Sequence, residues 1–438
     1  MKIAVVGSGI AGMGAAYALS EGNDVTLFER DDRFGGHANT VEAQVNGRTI
    51  AVDTGFIVYN YRNYPNLTGL FEHLGVPTKW SDMSFGMSVK GGRLEYACDD
   101  LDQIFAQRAN ALNPSFLRGV LQILRFNKEA PGQLERGALE GLSLGQWLER
   151  EGYGRWFRDS FLLPMGGAIW STPTDDILDF PAESFIAFFR NHDLMTGLDP
   201  MQKWRTVDGG SREYVSRLIG KLGPRAKRNA GVSRVTRLGG RPTLHFEDGS
   251  SAQFDQVILA THGPVARQLL SDADAQEETI LSKFRTSSNR AVLHSDPRLM
   301  PKRRKVWSSW NFLSGGPEAD AGRPAPVTYW MNRLQTIDRD YPLFVSLNPG
   351  IEPDARLIHQ EFSYDHPLFD AASFAGQKEI EVIQGRGGVW YAGAWLGYGF
   401  HEDGLRSGLR VAASLGAAPS WAKALPEPIA TPLAEAAE

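Results

Sequence analysis

The sequence has a single cysteine, Cys98, among 438 residues. One thiol excludes an internal disulfide framework and argues against a cysteine-based metal site, so we predict no metal. Lysine and arginine total 46 against 51 aspartate and glutamate, a formal charge of −5. This balance gives no reason to expect nucleic acid as a partner.

Long apolar runs are also missing, and no stretch approaches the ~20 residues that span a bilayer. The first predicted strand begins at residue 2, which leaves no room for a signal or transit peptide. We therefore expect a cytoplasmic protein, either soluble or peripheral on the inner membrane face. A chain of 438 residues is long enough for two hydrophobic cores.

What the sequence does have is a glycine-rich opening. Lys2–Val6 is a short, β-branched apolar run, typical of a strand buried on both faces of a parallel sheet. The motif GxGxxG follows as Gly7, Gly9 and Gly12, and the alanine-rich run Met13–Leu19 predicts a helix. In a dinucleotide site the first glycine allows the tight turn, the second admits a pyrophosphate, and the third lets helix and strand pack closely.

Two further features favour a nucleotide site over an ordinary glycine turn. The start of the predicted helix, with Ile10 and Ala11, offers free N–H groups and the positive end of the helix dipole to phosphates. A second predicted strand, Asp24–Phe28, ends on Glu29, whose carboxylate can accept hydrogen bonds from both ribose hydroxyls of an adenosine. Strand, helix, strand and acid thus follow in the order that such a site requires.

The segment from Glu29 reads ERDDRFGGH and is followed by Thr40. It resembles the ExxxxxGG segment of flavin-containing amine oxidases and phytoene-desaturase-type enzymes, in which the arginine and the paired glycines lie along the FAD pyrophosphate and ribityl chain. The resemblance implies FAD as the cofactor. The positions that it assigns to cofactor binding are Arg30, Arg33, Gly35, Gly36 and His37. Arg33 can donate charge-assisted hydrogen bonds to phosphate.

The next predicted element is a hairpin over residues 41–52, around Asn46-Gly47. It leads into the sequence DTGF, and in the resembled superfamily a DxG at this point passes close to the flavin ring. A simple hairpin exit would explain the same residues. The cofactor interpretation assigns Thr54, Gly55 and Phe56 to the site.

Two later segments extend the resemblance. Residues 232–235 resemble the superfamily element whose backbone reads adenine, which makes the backbone of Val232 the candidate. The sequence WYAGA at 390–394 resembles the strand and glycine turn that contact the FAD phosphates, here through Gly393 and Ala394. The following helix would aim its N-terminus at the flavin, where it stabilises the negative charge of the reduced ring. The matching residues at its start are Asp403, Gly404 and Leu405.

Two departures from the superfamily concern the chemistry. No lysine matches the one that many amine oxidases use to hold water at the flavin, and Lys283, Lys302 and Lys305 are poor candidates. No cysteine matches the one that tethers flavin in some relatives, so we predict noncovalent FAD. The unusual side chains beside the flavin helix are His401 and Glu402, which could be a proton acceptor and its orienter. A structural hydrogen bond at the helix start would explain the pair equally well.

We predict an α/β fold in which a Rossmann-type FAD-binding domain is interleaved with a mixed α+β substrate domain, as in the amine oxidases. The FAD domain is predicted over residues 1–78, 206–288 and 386–418, and the substrate domain over 79–205 and 289–385. Residues 419–438, rich in alanine and proline, predict a flexible tail. The turn Gly209-Gly210-Ser211 precedes a predicted helix, with Ser211 as its N-cap.

Segments such as FLLPMGGAIWSTP and GFHEDGL resemble a bacterial branch whose members often occur alongside methyltransferases of the cyclopropane-fatty-acid-synthase type. This resemblance implies desaturation of an apolar substrate, with a methyl- or methylene-branched fatty acyl chain of membrane phospholipid as the leading candidate and a methyltransferase as a candidate partner. The alternatives are a flavin amine oxidase, a carotenoid-type desaturase, and an FAD-stabilised, non-catalytic partner of a lipid methyltransferase. An amine oxidase would need an aromatic cage, for which Trp395, Tyr398 and Phe400 are the candidates.

Two segments could bring such a protein to a membrane surface. Residues 115–130 predict a basic amphipathic helix, and Lys302–Lys305 precede Trp307 and Trp310. A helix packed on its own core and a solvated loop before a buried strand are the respective alternatives. The aromatic stretch over residues 156–189 would fill a core, line an apolar substrate cavity, or do both.

Overall fold

The computed structural model describes residues 1–195, 203–237, 240–315, 322–425 and 427–429. Its strands are β1 Lys2–Val6, β2 Asp24–Phe28, β3 Thr40–Val45, β4 Arg48–Asp53, β5 Tyr59–Asn60, β6 Thr78–Ser81, β7 Phe85–Val89, β8 Leu94–Ala97, β9 Trp204–Val207, β10 Ala226–Lys227, β11 Val232–Thr236, β12 Thr243–Phe246, β13 Ser251–Gln253, β14 Gln256–Leu259, β15 Arg285–His294, β16 Trp310–Leu313, β17 Val327–Trp330, β18 Phe344–Leu347, β19 Ile358–Leu368 and β20 Val389–Tyr391. Its α-helices are α1 Ile10–Leu19, α2 Pro65–Leu74, α3 Leu101–Ile104, α4 Pro114–Glu135, α5 Leu144–Arg150, α6 Arg155–Phe157, α7 Leu163–Trp170, α8 Ala182–Asn191, α9 Arg212–Leu222, α10 Gly263–Leu269, α11 Ala275–Leu281, α12 Met331–Leu334, α13 Ala371–Glu379 and α14 His401–Ser414.

Five parallel strands form the sheet that carries the glycine loop, in the order β10-β2-β1-β14-β20. The central strand β1 buries Ile3, Ala4 and Val5 completely. This is expected of a central parallel strand whose two faces are both covered. Because the strands are parallel, the loops after their carboxyl ends lie side by side at one edge of the sheet.

A second sheet has seven strands in the order β19-β15-β18-β17-β16-β7-β8. The chain leaves the parallel sheet to form this mixed sheet and returns to it more than once, so the predicted interleaving of an α/β unit with a mixed α+β unit is confirmed. Strand β15 starts at Arg285 and so runs across the predicted domain boundary at 288. The other predicted boundaries stay predictions.

The predicted hairpin is present as β3 and β4, one residue longer at each end. Its turn residues Asn46 and Gly47 have φ angles of 48° and 79°. Positive φ at both central residues is what a two-residue type I′ turn requires. The hairpin ends at Asp53 and delivers the following residues to the edge of the parallel sheet.

Helices α4 to α8 surround an aromatic core. Helix α4 extends beyond the predicted residues 115–130 at both ends and passes through Pro131. The aromatic stretch contributes mainly to this core, whose largest fully buried members include Phe126, Trp147, Phe157, Phe185 and Phe189. Among the described residues, no helix combines the length and the hydrophobicity needed to cross a bilayer.

The part of the predicted flexible tail that the structure describes is packed against the fold. The Trp421 ring stacks on His73 at 5.9 Å, and the Ala424 N–H donates to Asn66 Oδ1 at 3.0 Å. Ile429 is buried. Packing of the partly buried Trp421 and the buried Ile429 offsets part of the entropy of ordering these residues, and the predicted flexibility stays a prediction. The rest of the predicted tail lies outside the described residues.

Candidate functional site

The glycine loop after β1 packs against protein atoms at Gly7 and Gly12 and has free space in front of Gly9. Gly7 has a φ of 101°, a conformation that favours glycine, and its N–H donates to the Phe28 carbonyl at 2.9 Å. A Cβ on Gly12 would lie 1.9 Å from the Gly7 carbonyl oxygen. A Cβ on Gly9 would meet nothing within 4 Å. The space in front of Gly9 is therefore where a ligand can approach the backbone.

Helix α1 makes its first intrahelical hydrogen bond from Met13 N to Gly9 O at 2.9 Å. The amides of Ile10, Ala11 and Gly12 therefore precede the hydrogen-bonded ladder of the helix. Such amides, together with the positive end of the helix dipole, form an anion site. This position is the one that the sequence predicts for a pyrophosphate.

The N-terminus of helix α14 lies beside that of α1. A Cβ on Gly404 would be 3.0 Å from Ile10 Cγ2, and one on Gly408 would be 2.2 Å from the Ala11 carbonyl oxygen. The Leu405 side chain is fully buried and packs over Gly14, so only the backbone of Leu405 is left for the predicted contact with the cofactor. The positive ends of two helix dipoles therefore meet at this edge of the sheet.

Glu29 lies at the carboxyl end of β2 and is tied to the glycine loop. Its Oε2 accepts hydrogen bonds from Ser8 N at 2.9 Å and Ser8 Oγ at 2.5 Å, and its Oε1 accepts one from Asp31 N at 3.0 Å. A carboxylate has about four acceptor sites, so it retains capacity for hydroxyl donors. The predicted ribose contact is compatible with this arrangement and stays a prediction.

The Nη1 atom of Arg33 is buried and has no hydrogen-bond partner among the described residues. The paired glycines after it touch the loop, since Gly35 N donates to Ser8 O at 3.1 Å and a Cβ on Gly36 would be 3.2 Å from Gly9 Cα. A buried guanidinium nitrogen without a partner is costly, which indicates an anion that the protein itself does not supply. Arg30 differs, because its side chain is 73% exposed and its nearest acid is Asp31 at 3.5 Å.

The residues after the β3–β4 hairpin pack directly on the paired-glycine segment. A Cβ on Gly55 would be 2.2 Å from the His37 carbonyl oxygen, which also accepts a hydrogen bond from Phe56 N at 2.8 Å. Thr54 N donates to the Asn39 carbonyl at 2.9 Å. The structure thus brings together His37, Thr54, Gly55 and Phe56, which the sequence predicts for one cofactor site.

Asp53 is a buried carboxylate that connects residues 54–56 to other parts of the chain by hydrogen bonds. It accepts hydrogen bonds from Thr40 Oγ1 at 2.6 Å, Ser211 Oγ at 2.8 Å, Ser211 N at 2.9 Å and Gln335 Nε2 at 3.1 Å. Burial raises the pKa of Asp53 to about 6. Ser211 occupies the predicted N-cap position of α9, but its side chain makes no capping hydrogen bond: its hydroxyl donates to Asp53, and Thr40 Oγ1 accepts from Arg212 N.

His401 is held between two aromatic residues at the start of α14. Its ring stacks on Phe56, with centroids 3.8 Å apart and planes 11° apart. Its Nε2 lies 2.6 Å from the Tyr214 hydroxyl. Burial lowers the pKa of His401 to about 3, so the imidazole is neutral. His401 therefore joins the predicted cofactor segment through Phe56.

The predicted orientation of His401 by Glu402 was wrong. Glu402 Oε1 accepts from Asn66 Nδ2 at 2.8 Å and Asn66 N at 3.0 Å, and its Oε2 accepts from Leu67 N at 2.9 Å. These donors lie at the N-terminus of α2, where a carboxylate is favoured. Burial raises the pKa of Glu402 to about 7. Adjacent residues on a helix point to different faces, so Tyr214 rather than Glu402 orients His401.

Asp403 and Gly393 serve contacts within the protein. Asp403 accepts hydrogen bonds from Tyr398 N at 3.0 Å and Phe400 N at 3.1 Å and so holds the loop before α14. A Cβ on Gly393 would be 2.2 Å from Trp395 Nε1, which explains the glycine without a ligand. Ala394 lies against Gly404, at the start of α14. The predicted contacts of this turn with the cofactor stay predictions.

Val232 begins strand β11, on the side of the sheet where β2 ends. The chain before it runs along Glu29, with Ala230 N donating to the Glu29 carbonyl at 2.8 Å. Strand β11 pairs with β12, with an irregular register after Val232. Its location beside the Glu29 segment is compatible with the predicted adenine contact, which stays a prediction.

Three histidine rings lie close together beside the paired-glycine segment. Only one of them, His37, was predicted from the sequence as a residue of the site. The His37 ring lies 5.3 Å from that of His366 and 5.8 Å from that of His262. Burial lowers the pKa of all three, that of His366 to about 4. His262 follows β14 and His366 lies on β19, so only the tertiary fold brings them to His37. No local sequence pattern could have identified the cluster.

An aromatic surface approaches the start of α14 from the other side. The Phe400 ring stacks on Phe188 at 5.1 Å, and Tyr398 lies 5.7 Å from the same ring. The Trp170 indole N–H donates to the Tyr398 carbonyl at 3.2 Å. The aromatic core of α4 to α8 therefore reaches the loop immediately before His401.

The predicted aromatic cage is only partly assembled. Trp395 points into the core of the parallel-sheet unit, where it lies 4.3 Å from Phe284 and donates to the Thr261 carbonyl at 2.9 Å. It therefore lies apart from the pair formed by Tyr398 and Phe400. Lys283 forms an ion pair with Glu379, so it is not a lysine of the site.

Comparison with known proteins yields matches in both sequence and structure. A family model described as flavin containing amine oxidoreductase matches residues 10–324. The putative flavin-containing monoamine oxidase AofH of Mycobacterium tuberculosis is 25% identical over 281 residues, which cover 59% of this chain and 56% of that protein. The match thus spans about half the length of this curated relative.

Two solved structures share the fold over nearly the whole chain. Cyclohexylamine oxidase from Brevibacterium oxydans has a TM-score of 0.68 at 17% identity, with 94% of this chain and 98% of that chain covered. The CLA-producing fatty acid isomerase from P. acnes has a TM-score of 0.66 at 16% identity, with 93% and 96% covered. At these identities the likeness shows a common two-domain α/β fold.

The residues of the site fit the flavin dinucleotide that these matches imply. A pyrophosphate needs hydrogen-bond donors and positive charge, and the site offers an open backbone at Gly9, two adjoining helix N-termini and the unpartnered Arg33 nitrogen. Glu29 lies at the end of the neighbouring strand, where a ribose would follow. Arg33, Glu29 and the amides of residues 10–12 would therefore hold the FAD.

Proposed function

The chain belongs to the family of flavin-containing amine oxidoreductases, and from this premise we propose that it is an FAD-dependent oxidoreductase that desaturates an apolar substrate. The substrate that we propose is a methyl- or methylene-branched fatty acyl chain of membrane phospholipid. One observation carries this choice above the others. A cluster of aromatic side chains, with no charged side chain among its members, packs against the loop at the start of α14.

This surface suits an acyl chain because its side chains form one apolar wall. Phe188 contacts Phe400, Tyr398 and Trp170, with centroid separations of 5.1, 5.7 and 4.7 Å. Aromatic rings provide large apolar area and exclude water from charge that develops on a substrate carbon. A protonated amine would find aromatic faces at Tyr398 and Phe400, but Trp395 does not complete the cage.

The reaction places a demand on the substrate. FAD, when bound, would accept a hydride, which carries the two electrons of the oxidation. An unactivated alkyl chain is a poor hydride donor, whereas a C–H bond beside a methyl- or methylene-bearing double bond is a good one, because the charge that develops is shared over the allylic system. Loss of a proton from the far side of that system gives a conjugated diene. The protein must therefore supply a proton acceptor.

His401 is the acceptor that we propose. When its Nε2–H donates to the Tyr214 oxygen 2.6 Å away, Nδ1 carries the lone pair that can accept a proton. Burial holds its pKa at about 3, so the imidazole is a weak base. A weak base is sufficient here because a proton next to an allylic cation is strongly acidic. The stack on Phe56 fixes the ring plane while the proton is transferred.

The proposal is tested by anaerobic mixing of the holoenzyme with phospholipids that carry methyl-substituted double bonds, while the flavin absorbance is followed. The flavin of the wild-type protein should be reduced by these lipids and not by simple amines. His401→Gln should retain FAD and be reduced about 10²–10⁴-fold more slowly, the range for loss of a general base. His294→Gln is the matched control, because His294 is also buried, with a pKa lowered to about 4, and bonds Ser346 in the other sheet.

Amine oxidation is the second candidate, favoured by the similarity to AofH and to cyclohexylamine oxidase. Reduction by amines, with none by methylated unsaturated lipids, would overturn the proposal and establish this alternative. Lipid-driven reduction with an undiminished rate in His401→Gln would keep the reaction and remove His401 from it. Equal slowing in His294→Gln would attribute the effect to a general loss of packing.

A further inference from the structure

The structure distinguishes the two segments that the sequence nominates for a membrane surface. In one of them, residues 302–305, the cationic side chains bind to groups of the protein itself. Lys302 Nζ donates to the Gly91 carbonyl at 2.7 Å, Arg303 forms an ion pair with the fully buried Glu95 at 2.7 Å, and Lys305 pairs with Asp102. These three charges are engaged within the protein, and the fourth, Arg304, lies over the Trp307 ring at 5.1 Å.

The second segment, helix α4, presents a row of exposed leucines. Leu117, Leu121 and Leu124 are 37%, 64% and 57% exposed, and Leu112, just before the helix, is 87% exposed. Residues at i, i+4 and i+7 lie on one face of a helix, so the three helical leucines form a single stripe. We call these four residues the leucine stripe.

The leucine stripe has no role in the core of the protein. The opposite face of α4 already supplies the core residues, with Phe116, Gly119, Phe126 and Ala130 buried. That face is packed tightly, since a Cβ on Gly119 would lie 1.8 Å from the Trp156 ring. Helix α4 is therefore apolar on both sides over its first three turns, and an apolar face on the outside of a protein indicates an interaction surface.

Positive charge borders the leucine stripe. Arg118 and Lys128 on α4 are exposed, as is Arg155, which precedes the Trp156 that packs on Gly119. In the described part of the chain none of the three forms an ion pair. The acids of this region are engaged: Glu129 and Glu151 pair with Arg125, and Glu135 pairs with Arg190. The net result is an apolar row with unneutralised cations beside it.

We propose that the outer face of α4 docks on the surface of an anionic bilayer. Leucines that enter the acyl boundary beside cations that remain among phosphates are the arrangement of an interfacial helix. The proposal goes beyond the reaction, because it concerns where the protein works. Phe126 and Ala130, on the inner face of α4, belong to the same aromatic core as Trp170 and Phe188. Docking therefore places the bilayer on the outer side of the apolar wall.

The test is cosedimentation of the full-length holoenzyme with vesicles of phosphatidylcholine and phosphatidylglycerol in a 3:1 ratio, compared with phosphatidylcholine alone. Replacing Leu117, Leu121 and Leu124 with glutamine should weaken binding about 1000-fold, at about tenfold for each leucine removed from the interface. Replacing Arg118 and Lys128 with alanine should weaken binding to the anionic vesicles about fivefold per cation. The control replaces Ile351 and Val382, exposed aliphatic residues elsewhere on the protein, with glutamine and should bind as wild type does.

Binding that is anionic-lipid dependent and lost in the leucine variant, with FAD content unchanged, supports the proposal. Equal binding by the leucine variant and wild type would overturn it, as would the absence of wild-type binding to both vesicle types. Self-association of wild type that is lost in the leucine variant, without vesicle binding, would instead make α4 an interface between copies of the chain. Vesicle binding does not require turnover, so the result is independent of the proposed reaction.

Discussion

A pair of glycine substitutions separates the two roles of the nucleotide loop. Gly12→Ala adds a methyl group whose carbon would lie 1.9 Å from the Gly7 carbonyl oxygen. Gly9→Ala adds the same group three residues earlier, where it meets no protein atom within 4 Å. The chemical change is identical, and only its surroundings differ. Each variant therefore serves as the control for the other.

The expected magnitudes follow from those distances. Contacts of a Cβ below 3.0 Å are essentially never found, so alanine at position 12 requires a backbone shift of about 1 Å. The obstacle is the Gly7 backbone, which is fixed by its hydrogen bond to Phe28, so no flexible side chain can move aside. Overpacking of this kind costs 1–3 kcal/mol, and we expect about 3 kcal/mol here because backbone must move. At position 9 the φ of −64° suits alanine, so we expect no loss of stability without cofactor.

The assay has two parts. Chemical denaturation of the FAD-free proteins should show Gly12→Ala less stable by about 3 kcal/mol and Gly9→Ala unchanged within about 0.5 kcal/mol. Titration with FAD should then show Gly9→Ala binding about 10–100-fold more weakly than wild type, because the methyl group occupies the space that the pyrophosphate needs. Full FAD affinity in Gly9→Ala would refute the position that we assign to the pyrophosphate. Wild-type stability of the FAD-free Gly12→Ala would refute the close contact of α1 with the loop.

Three further substitutions probe single groups of the site. Arg33→Met should weaken FAD by about 10–100-fold in the same titration while leaving the FAD-free protein at least as stable, because its Nη1 has no partner to lose. The pKa of Asp53 is raised from 3.8 to about 6 in the folded state, so its stabilisation relative to Asp53→Asn is complete below pH 3.8 and is lost as the pH rises through 6. The stability difference between wild type and this variant should thus fall by about 3 kcal/mol between pH 3 and pH 7 in urea denaturation. Tyr214→Phe removes the hydrogen bond to His401 and should slow flavin reduction about tenfold with FAD affinity unchanged, measured by stopped flow.

The parts of the site that local sequence predicts are those whose structure is decided locally. Gly7, Gly9 and Gly12 lie between a strand and a helix that their own residues specify, and the hairpin turn at Asn46-Gly47 follows from the φ angles that these residues tolerate. The short apolar run of β1 predicts a strand that is buried on both faces, and this can be inferred before any partner strand is known. These elements were confirmed with small shifts at their ends.

The predictions that were wrong depend on partners far away in the chain. Glu402 has a histidine next to it in sequence, yet it binds Asn66, 336 residues away, because α2 begins there with amides that have no partner within the helix. Ser211 stands where an N-cap is expected, but a buried carboxylate 158 residues away takes its hydroxyl. A sequence pattern identifies the residue that can donate or accept and does not identify the competing partner. Long-range packing decides that competition.

The charge distribution of the site bears on the choice between lipid and amine. The positive groups, two helix N-termini and Arg33, lie on the side of the dinucleotide. The imidazoles of His37, His366 and His401 are held neutral by burial, and aromatic side chains pack against the loop before α14. A histidine with a pKa of about 3 is far too weak a base to take the proton of an ammonium substrate. The same histidine can accept a proton from an allylic cation, which is the step that we propose for it.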